Sequence, residues 1–215
     1  MRMRKLPWAE DFLKEQSVVV EDPTTYKGKW KSLLACDELH VEIGTGKGDY
    51  WTKMAQLYPE YGWIGIEKNT NVAALAVRKF SNMNGKKEHM RYINKDAKYL
   101  QTWFAEHEVD VIHLNFSDPW PKKRAHKKRL SNVSFIEQYA TILKEDGELQ
   151  MKTDNSSLFE YSILEFQKAN WYLHEFSVDY RRVEHEEDVI TEYEHRFMEK
   201  GQPIYRAVWK KIPLK

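Results

Sequence analysis

With 215 residues, 41% of them hydrophobic and 13% aromatic, the chain is long enough for one domain that buries about 70% of its unfolded surface, and too apolar for intrinsic disorder. A formal net charge of +1 excludes a uniformly basic nucleic-acid binder, so any attraction to a polyanion must come from local segregation of charge. One cysteine, Cys36, excludes an internal disulfide and fits a small hydrophobe in a reducing compartment.

Residues 1–38 lack a sustained apolar period and read as an N-terminal arm, followed by a domain over 39–215. The arm carries a basic group, Arg2, Arg4 and Lys5, and the segment Lys27-Gly28-Lys29-Trp30-Lys31. No apolar stretch of signal-peptide length follows Met1, and no run approaches the roughly 20 residues of a membrane span, so the sequence points to a soluble, cytoplasmic protein. Leu39 to Ile43 predicts a strand. Tyr50, Trp51, Met54, Ala55 and Tyr58 follow helical spacing, and Trp63 to Ile66 predicts a second strand. Val72, Leu75, Ala76, Phe80 and Met83 predict a second amphipathic helix. Met90 to Ile93 and Val109 to Phe116 follow as strands. Val133, Ile136, Tyr139, Ala140 and Leu143 predict a helix stopped by Gly147, and Glu148 to Lys152 a strand. Leu158, Phe159, Ser162, Ile163 and Phe166 predict a further helix, with Tyr172 to Val178 and Ile204 to Trp209 as late strands. The alternation predicts βαβ units, a parallel sheet and helices on both faces. The last two strands are separated by a long polar stretch without a clear helix, which predicts an antiparallel edge strand. Such sheets bind ligands beyond the carboxyl ends of their strands, where strand order reverses.

The first of those ends carries Glu42-Ile43-Gly44-Thr45-Gly46-Lys47-Gly48-Asp49. Glycines there permit positive φ and close backbone approach to a ligand. A P-loop would need glycine at Val41 and Ser or Thr at Gly48. A dinucleotide site has G-x-G-x-x-G spacing, and Glu42 would repel a pyrophosphate. A cationic ligand without phosphate, S-adenosylmethionine, suits the place better. Glu67 ends the second strand, 23 residues after Gly44, where a carboxylate can accept both ribose hydroxyls. Asp96 follows the third strand, within reach of an adenine amino group. Each acid alone reads equally well as a helix cap or surface residue.

The fourth strand runs into Asn115-Phe116-Ser117-Asp118-Pro119-Trp120-Pro121, then six cations in eight residues: Lys122, Lys123, Arg124, Lys127, Lys128 and Arg129. Two prolines fix φ and stiffen the turn. Asp118 is either a turn-former before proline or the group at the chemical centre. Trp120 either stacks on a base or plugs the core. The cationic run is either a solvated loop or a phosphate-binding one. If all six cations met phosphates, binding would fall with a log–log salt slope of roughly −5. Lys123 or Arg124 could instead pair with the acidic segment Glu184, Glu186, Glu187, Asp188, Glu192 and Glu194. Asp154, at the end of the fifth strand, is a helix N-cap or a substrate contact. Thr191-Glu192-Tyr193-Glu194 reads as an exposed polar segment on pattern alone. His185 and His195 lack partners at metal-ligand spacing, so no zinc site is expected.

Together these motifs resemble those of the bacterial tRNA (guanine-N7-)-methyltransferases over essentially the whole chain. The resemblance rests on Glu42 to Gly48, Gly65-Ile66-Glu67, Ser117 to Arg124, Lys152-Thr153-Asp154-Asn155, Thr191 to Glu194 and Gly201-Gln202-Pro203-Ile204-Tyr205-Arg206. It implies a Rossmann-like class I S-adenosylmethionine-dependent methyltransferase domain with a mostly parallel seven-stranded sheet and an antiparallel last strand. It also implies methyl transfer to N7 of guanine 46 in the tRNA variable loop. Carried over, Glu42, Gly44, Gly46, Glu67, Asp96 and Asp118 would contact the methyl donor, with Asp118 catalytic. Lys122, Asp154, Thr191, Glu192, Tyr193 and Glu194 would contact the guanosine, and Arg124, Lys127, Lys128 and Arg129 the RNA. Ala125 departs from the histidine expected there, and His126 follows. No obligate protein partner is implied, and either a monomer or a homodimer fits. The main rival, methylation of an exocyclic adenine nitrogen, would place a second proline where Trp120 stands.

Overall fold

The computed structural model describes residues 5–212; Arg2 and Arg4 lie outside them. In chain order the elements are α1 (Ala9–Lys14), α2 (Trp30–Leu34), β1 (Leu39–Ile43), α3 (Asp49–Leu57), β2 (Gly62–Ile66), α4 (Thr70–Ser81), β3 (Met90–Ile93), α5 (Leu100–Trp103) and β4 (Val109–Asn115). There follow α6 (Val133–Ile142), β5 (Leu143–Thr153), α7 (Ser156–Lys168), β6 (Trp171–Ser177), α8 (Glu192–Met198) and β7 (Tyr205–Lys211). One seven-stranded sheet has the order β3-β2-β1-β4-β5-β7-β6. The first five strands are parallel, and β7 is antiparallel to both its neighbours.

Strands β1, β2 and β4 are buried along their whole length, as parallel strands covered on both faces are. Leu39, Val41 and Ile43 of β1, Ile112 and Leu114 of β4, and Leu149 and Met151 of β5 join the larger core cluster with residues of α6 and α7. The opposite face carries a buried polar stripe: His40 and Glu42 on β1, His113 and Asn115 on β4, and Lys152 on β5. Strand order reverses between β1 and β4, so the crevice at their carboxyl ends is where a ligand is expected.

Four local features differ from the sequence-based expectation. Residues 5–38 do not stand apart as an arm. Ala9 and Leu13 are buried, Val19 makes a parallel bridge to Tyr92, and fully buried Trp30 donates its indole N–H to the Trp103 carbonyl at 2.8 Å. Next, Gly147 does not stop a helix: α6 ends at Ile142 and β5 begins at the following residue. A Cβ on Gly147 would lie 2.8 Å from the Asp110 carbonyl, so this glycine lets β5 pass close to β4 where the register shifts. Thirdly, β7 is antiparallel as expected but is not the edge; it inserts between β5 and β6. Finally, the polar stretch before β7 contains α8.

Candidate active site

The glycine turn after β1 leaves helical and extended conformations behind: Gly44, Gly46 and Gly48 have φ of 80°, 54° and 75°. At Gly48 a Cβ would meet the Ala76 Cβ at 2.7 Å, so the turn is locked against α4. Beyond this turn two cavities of about 360 Å³ each adjoin, sharing Gly44, Gly46, Val72 and Phe116 in their walls. Glu67, Asp96, Asp118 and Trp120 line the first. Glu42, Asp49, Thr191, Tyr193 and Arg196 line the second.

Glu42 is 1% exposed. One carboxylate oxygen, Oε1, accepts from Asn115 Nδ2 at 3.2 Å; the other, Oε2, is buried and has no partner among the described residues. Burial is the main cause that pushes its pKa from the usual 4.5 to about 7, against the pull of Asn115 and Lys152. A buried acceptor without a donor is costly, and it suits a ligand that brings a cation or N–H donors. Glu67 accepts from Gly46 N at 3.3 Å through Oε2 and from Asn69 N at 2.8 Å through Oε1. Burial raises its pKa and these two N–H groups oppose the rise. Asp96 caps the turn that follows β3 by accepting from Lys98 N at 3.2 Å, while also lining the first cavity.

The turn after β4 is strained. Phe116 and Trp120 have φ of 51° and 41°, a region costing a bulky residue roughly 1–3 kcal/mol. Asp118 is exposed toward the cavity that Glu67 and Asp96 also line. Trp120 is half-buried in the same wall, with Lys128 Nζ 4.8 Å and Lys68 Nζ 5.9 Å from its ring centroid. It is therefore neither a core plug nor fully free. Lys122, Lys123, Arg124, Lys127 and Lys128 are exposed. The acidic 184–194 segment is bonded elsewhere, Asp188 and Glu194 to Lys152 and Arg181, and Glu192 to Lys79.

Two residues placed on substrate or RNA by the resemblance are turned away from both. Arg129 is 3% exposed; its Nε and Nη2 donate to the carbonyls of Pro119 and Trp120, which turns it inward from the rest of the cationic loop. Glu194 is 0% exposed. Its side chain closes a capping box with Thr191, and it pairs with Lys152 Nζ at 3.2 Å and Arg181 Nη2 at 2.8 Å. Thr191 is 5% exposed, its hydroxyl occupied by Glu194. The segment expected to be exposed and polar is thus half interior. Glu192 and Tyr193 do face outward. Asn155, not Asp154, caps α7, accepting from Leu158 N at 2.8 Å. Asp154 is left to face Tyr193; burial lifts its pKa and the Tyr193 hydroxyl works against the lift. The Tyr193 ring lies 4.8 Å from that of Phe116.

Four residues at the site carry contacts that sequence reasoning missed. Asn115 orients Glu42 across the switch point. Asp49 accepts from Glu192 N at 2.7 Å and ties α8 to α3. Arg181 and Asp188 complete the buried cluster with Lys152 and Glu194. Of that cluster's cations, Lys152 alone was named from the sequence, in the Lys152-to-Asn155 motif at the end of β5.

Comparison with known proteins agrees with this geometry. Residues 37–207 match the family described as "Putative methyltransferase". A tRNA (guanine-N(7)-)-methyltransferase of Bacillus licheniformis is 44% identical, over 98% of this chain and 100% of its own length. The protein of the same name in Bacillus subtilis is 41% identical, over 96% and 97%. Among solved structures, an antibiotic-related methyltransferase superposes with a TM-score of 0.62 at 17% identity, covering 86% of this chain and 94% of its own. A 16S rRNA (adenine(1408)-N(1))-methyltransferase from Catenulisporales acidiphilia, solved with S-adenosylmethionine, gives 0.57 at 9%, covering 90% and 93%. At such identities these two establish the class I methyltransferase fold alone.

Proposed function

Because the chain belongs to the tRNA (guanine-N(7)-)-methyltransferase family, we infer that it transfers the methyl group of S-adenosylmethionine to N7 of a guanine in tRNA. The observation that carries the assignment of the site is the convergence of Glu42, Glu67, Asp96 and Asp118 on one cleft behind a glycine turn. S-adenosylmethionine supplies an electrophilic methyl group on a sulfonium. In our reading Glu42 Oε2 takes the ammonium of its methionine part, Glu67 the ribose hydroxyls, and Asp96 the adenine amino group. We assign the target to position 46 of the variable loop, and the protein to the cytoplasm where tRNA is matured. No helix among the described residues is long and apolar enough to cross a membrane.

Guanine N7 has a free lone pair and carries no proton, so a general base is not required. Positive charge moves onto the purine during transfer. Asp118, accepting from the N1 and N2 hydrogens, would hold the ring and stabilise that charge, leaving positioning and preorganised electrostatics to supply the rate. Tertiary contacts can occupy N7 in folded tRNA, so the base must be extruded or the loop opened. Trp120 and Tyr193 line the two cavities and Asp154 meets Tyr193; in our reading these side chains receive the base, together with Lys122. Incubating the protein with unmodified tRNA and labelled S-adenosylmethionine, then identifying the nucleoside, tests the reading. 7-Methylguanosine is expected; a methylated exocyclic amine, or no product, would overturn it.

The raised pKa of Glu42 has two opposite consequences. A carboxyl whose folded pKa lies above its unfolded one stabilises the fold fully below pH 4.5, and that contribution is lost as pH rises through about 7. The loss amounts to about 3 kcal/mol. The ionised form, however, is the one that attracts a cation. Affinity for S-adenosylmethionine should therefore rise about fivefold from pH 6 to pH 7. Glu42→Gln should bind more weakly and lose that pH dependence in calorimetry; an unchanged profile would remove Glu42 from the site.

The five exposed cations from Lys122 to Lys128 should carry the salt dependence of tRNA binding. Neutralising Lys127 and Lys128 together should weaken tRNA binding and reduce the log–log salt slope by about 1 for each that meets a phosphate. A slope identical to wild type would show that they point elsewhere.

A further inference from the structure

Arg129 ends the cationic run but differs from the other five in what it touches. Its Nε donates to the Pro119 carbonyl at 2.8 Å and its Nη2 to the Trp120 carbonyl at 3.5 Å. Its guanidinium lies 4.3 Å from the centre of the Tyr161 ring on α7. Tyr161 is itself fixed: its hydroxyl accepts from Asn132 Nδ2 at 3.0 Å, and the His126 ring meets it edge-on at 5.4 Å.

The turn these contacts hold has little of its own to hold it. Pro119 and Pro121 offer no N–H. Trp120 sits at φ 41° and Phe116 at 51°, so relaxation would move the backbone on both sides of Asp118. Among the described residues, the carbonyls of Pro119 and Trp120 find their hydrogen bonds on Arg129. A planar fork stacked on an aromatic ring can meet two carbonyls at once, which an ammonium cannot do in the same way.

We propose that Arg129 is a positioning residue for methyl transfer: it clamps the Asp118–Trp120 turn to α7 and thereby sets where Asp118 and Trp120 stand in the cleft. This rests on the assignment of the cleft given above. Displacement of a reacting group by about 1 Å can cost 10²-fold in rate.

Arg129→Lys separates this role from phosphate binding, because it keeps the charge and loses the fork. At saturating tRNA and methyl donor its kcat should fall about 10- to 100-fold, while Kd for tRNA and the salt slope stay within about twofold of wild type. Arg129→Gln should behave the same way. A phosphate ligand would give the opposite pattern, with kcat retained in Arg129→Lys and, in Arg129→Gln, a weaker Kd and a slope smaller by about 1; that pattern overturns the proposal. If the buried substitutions lower the folded fraction, Tyr161→Leu carries the test from the other side of the clamp. Its kcat should fall several-fold at unchanged Kd, and wild-type kcat would overturn the proposal. Wild-type protein that fails to methylate tRNA would sink the assigned activity instead, so the two failures are distinguishable.

Discussion

Asp118→Ala should lower methyl transfer by about 10²–10³-fold or more, the range seen when one preorganised group facing developing charge is removed. Binding of tRNA should change little. Asp118 is exposed and lines the cleft, so tRNA affinity should stay within about twofold, as should the melting temperature. Asp118→Asn refines the point: it keeps an acceptor oxygen of similar shape but loses the negative charge, and should fall between wild type and alanine if charge stabilisation matters. Filter binding and tritiated methyl transfer on one preparation give both quantities. Full turnover in the alanine variant would remove Asp118 from the chemistry.

Lys152→Met should have the largest effect on stability. Lys152, Arg181, Asp188 and Glu194 form a closed set of two cations and two carboxylates beneath α8, with Lys152 3% and Glu194 0% exposed. Removing one cation leaves buried carboxylate charge uncompensated, at about 3–5 kcal/mol, a large part of the 5–15 kcal/mol total typical of a domain. For a chain of this size that corresponds to a fall in Tm of roughly 6–20 °C. Lys123→Met, on the exposed loop, should lie within about 0.5 kcal/mol of wild type. Thermal unfolding of the pair checks the contrast, and a Lys152→Met protein as stable as Lys123→Met would show that the cluster contributes nothing.

The parts of the fold that sequence reveals are those governed by local rules. Strand β3 is found at its predicted bounds, and β1 likewise, because a buried parallel strand is a short apolar run with clear breaks. The glycine turn is equally legible, since glycine takes positive φ without strain and stands at three alternate positions there. What stays hidden depends on partners far along the chain. Gly147 looks like a helix stop because nothing near it in sequence announces the Asp110 carbonyl it must pass. Helix α8 looks like an exposed polar segment because its capping box is local, but the burial of Glu194 is decided by Lys152 and Arg181, 42 and 13 residues away. Arg129 looks like one cation among six, and only the positions of Pro119 and Tyr161 turn it inward. Acidic residues at three strand ends pointed to the cleft; the pairing of Glu42 with Asn115, 73 residues later, did not show.

One measurement bears on the whole account most directly: a structure of the protein crystallised with S-adenosylmethionine. The ligand should span the two adjoining cavities, its ammonium within hydrogen-bond distance of Glu42 Oε2, its ribose on Glu67, and its methyl group directed toward the space beside Asp118. Density for the ligand away from the carboxyl ends of β1, β2 and β3, or an empty cleft at saturating concentration, would contradict the account.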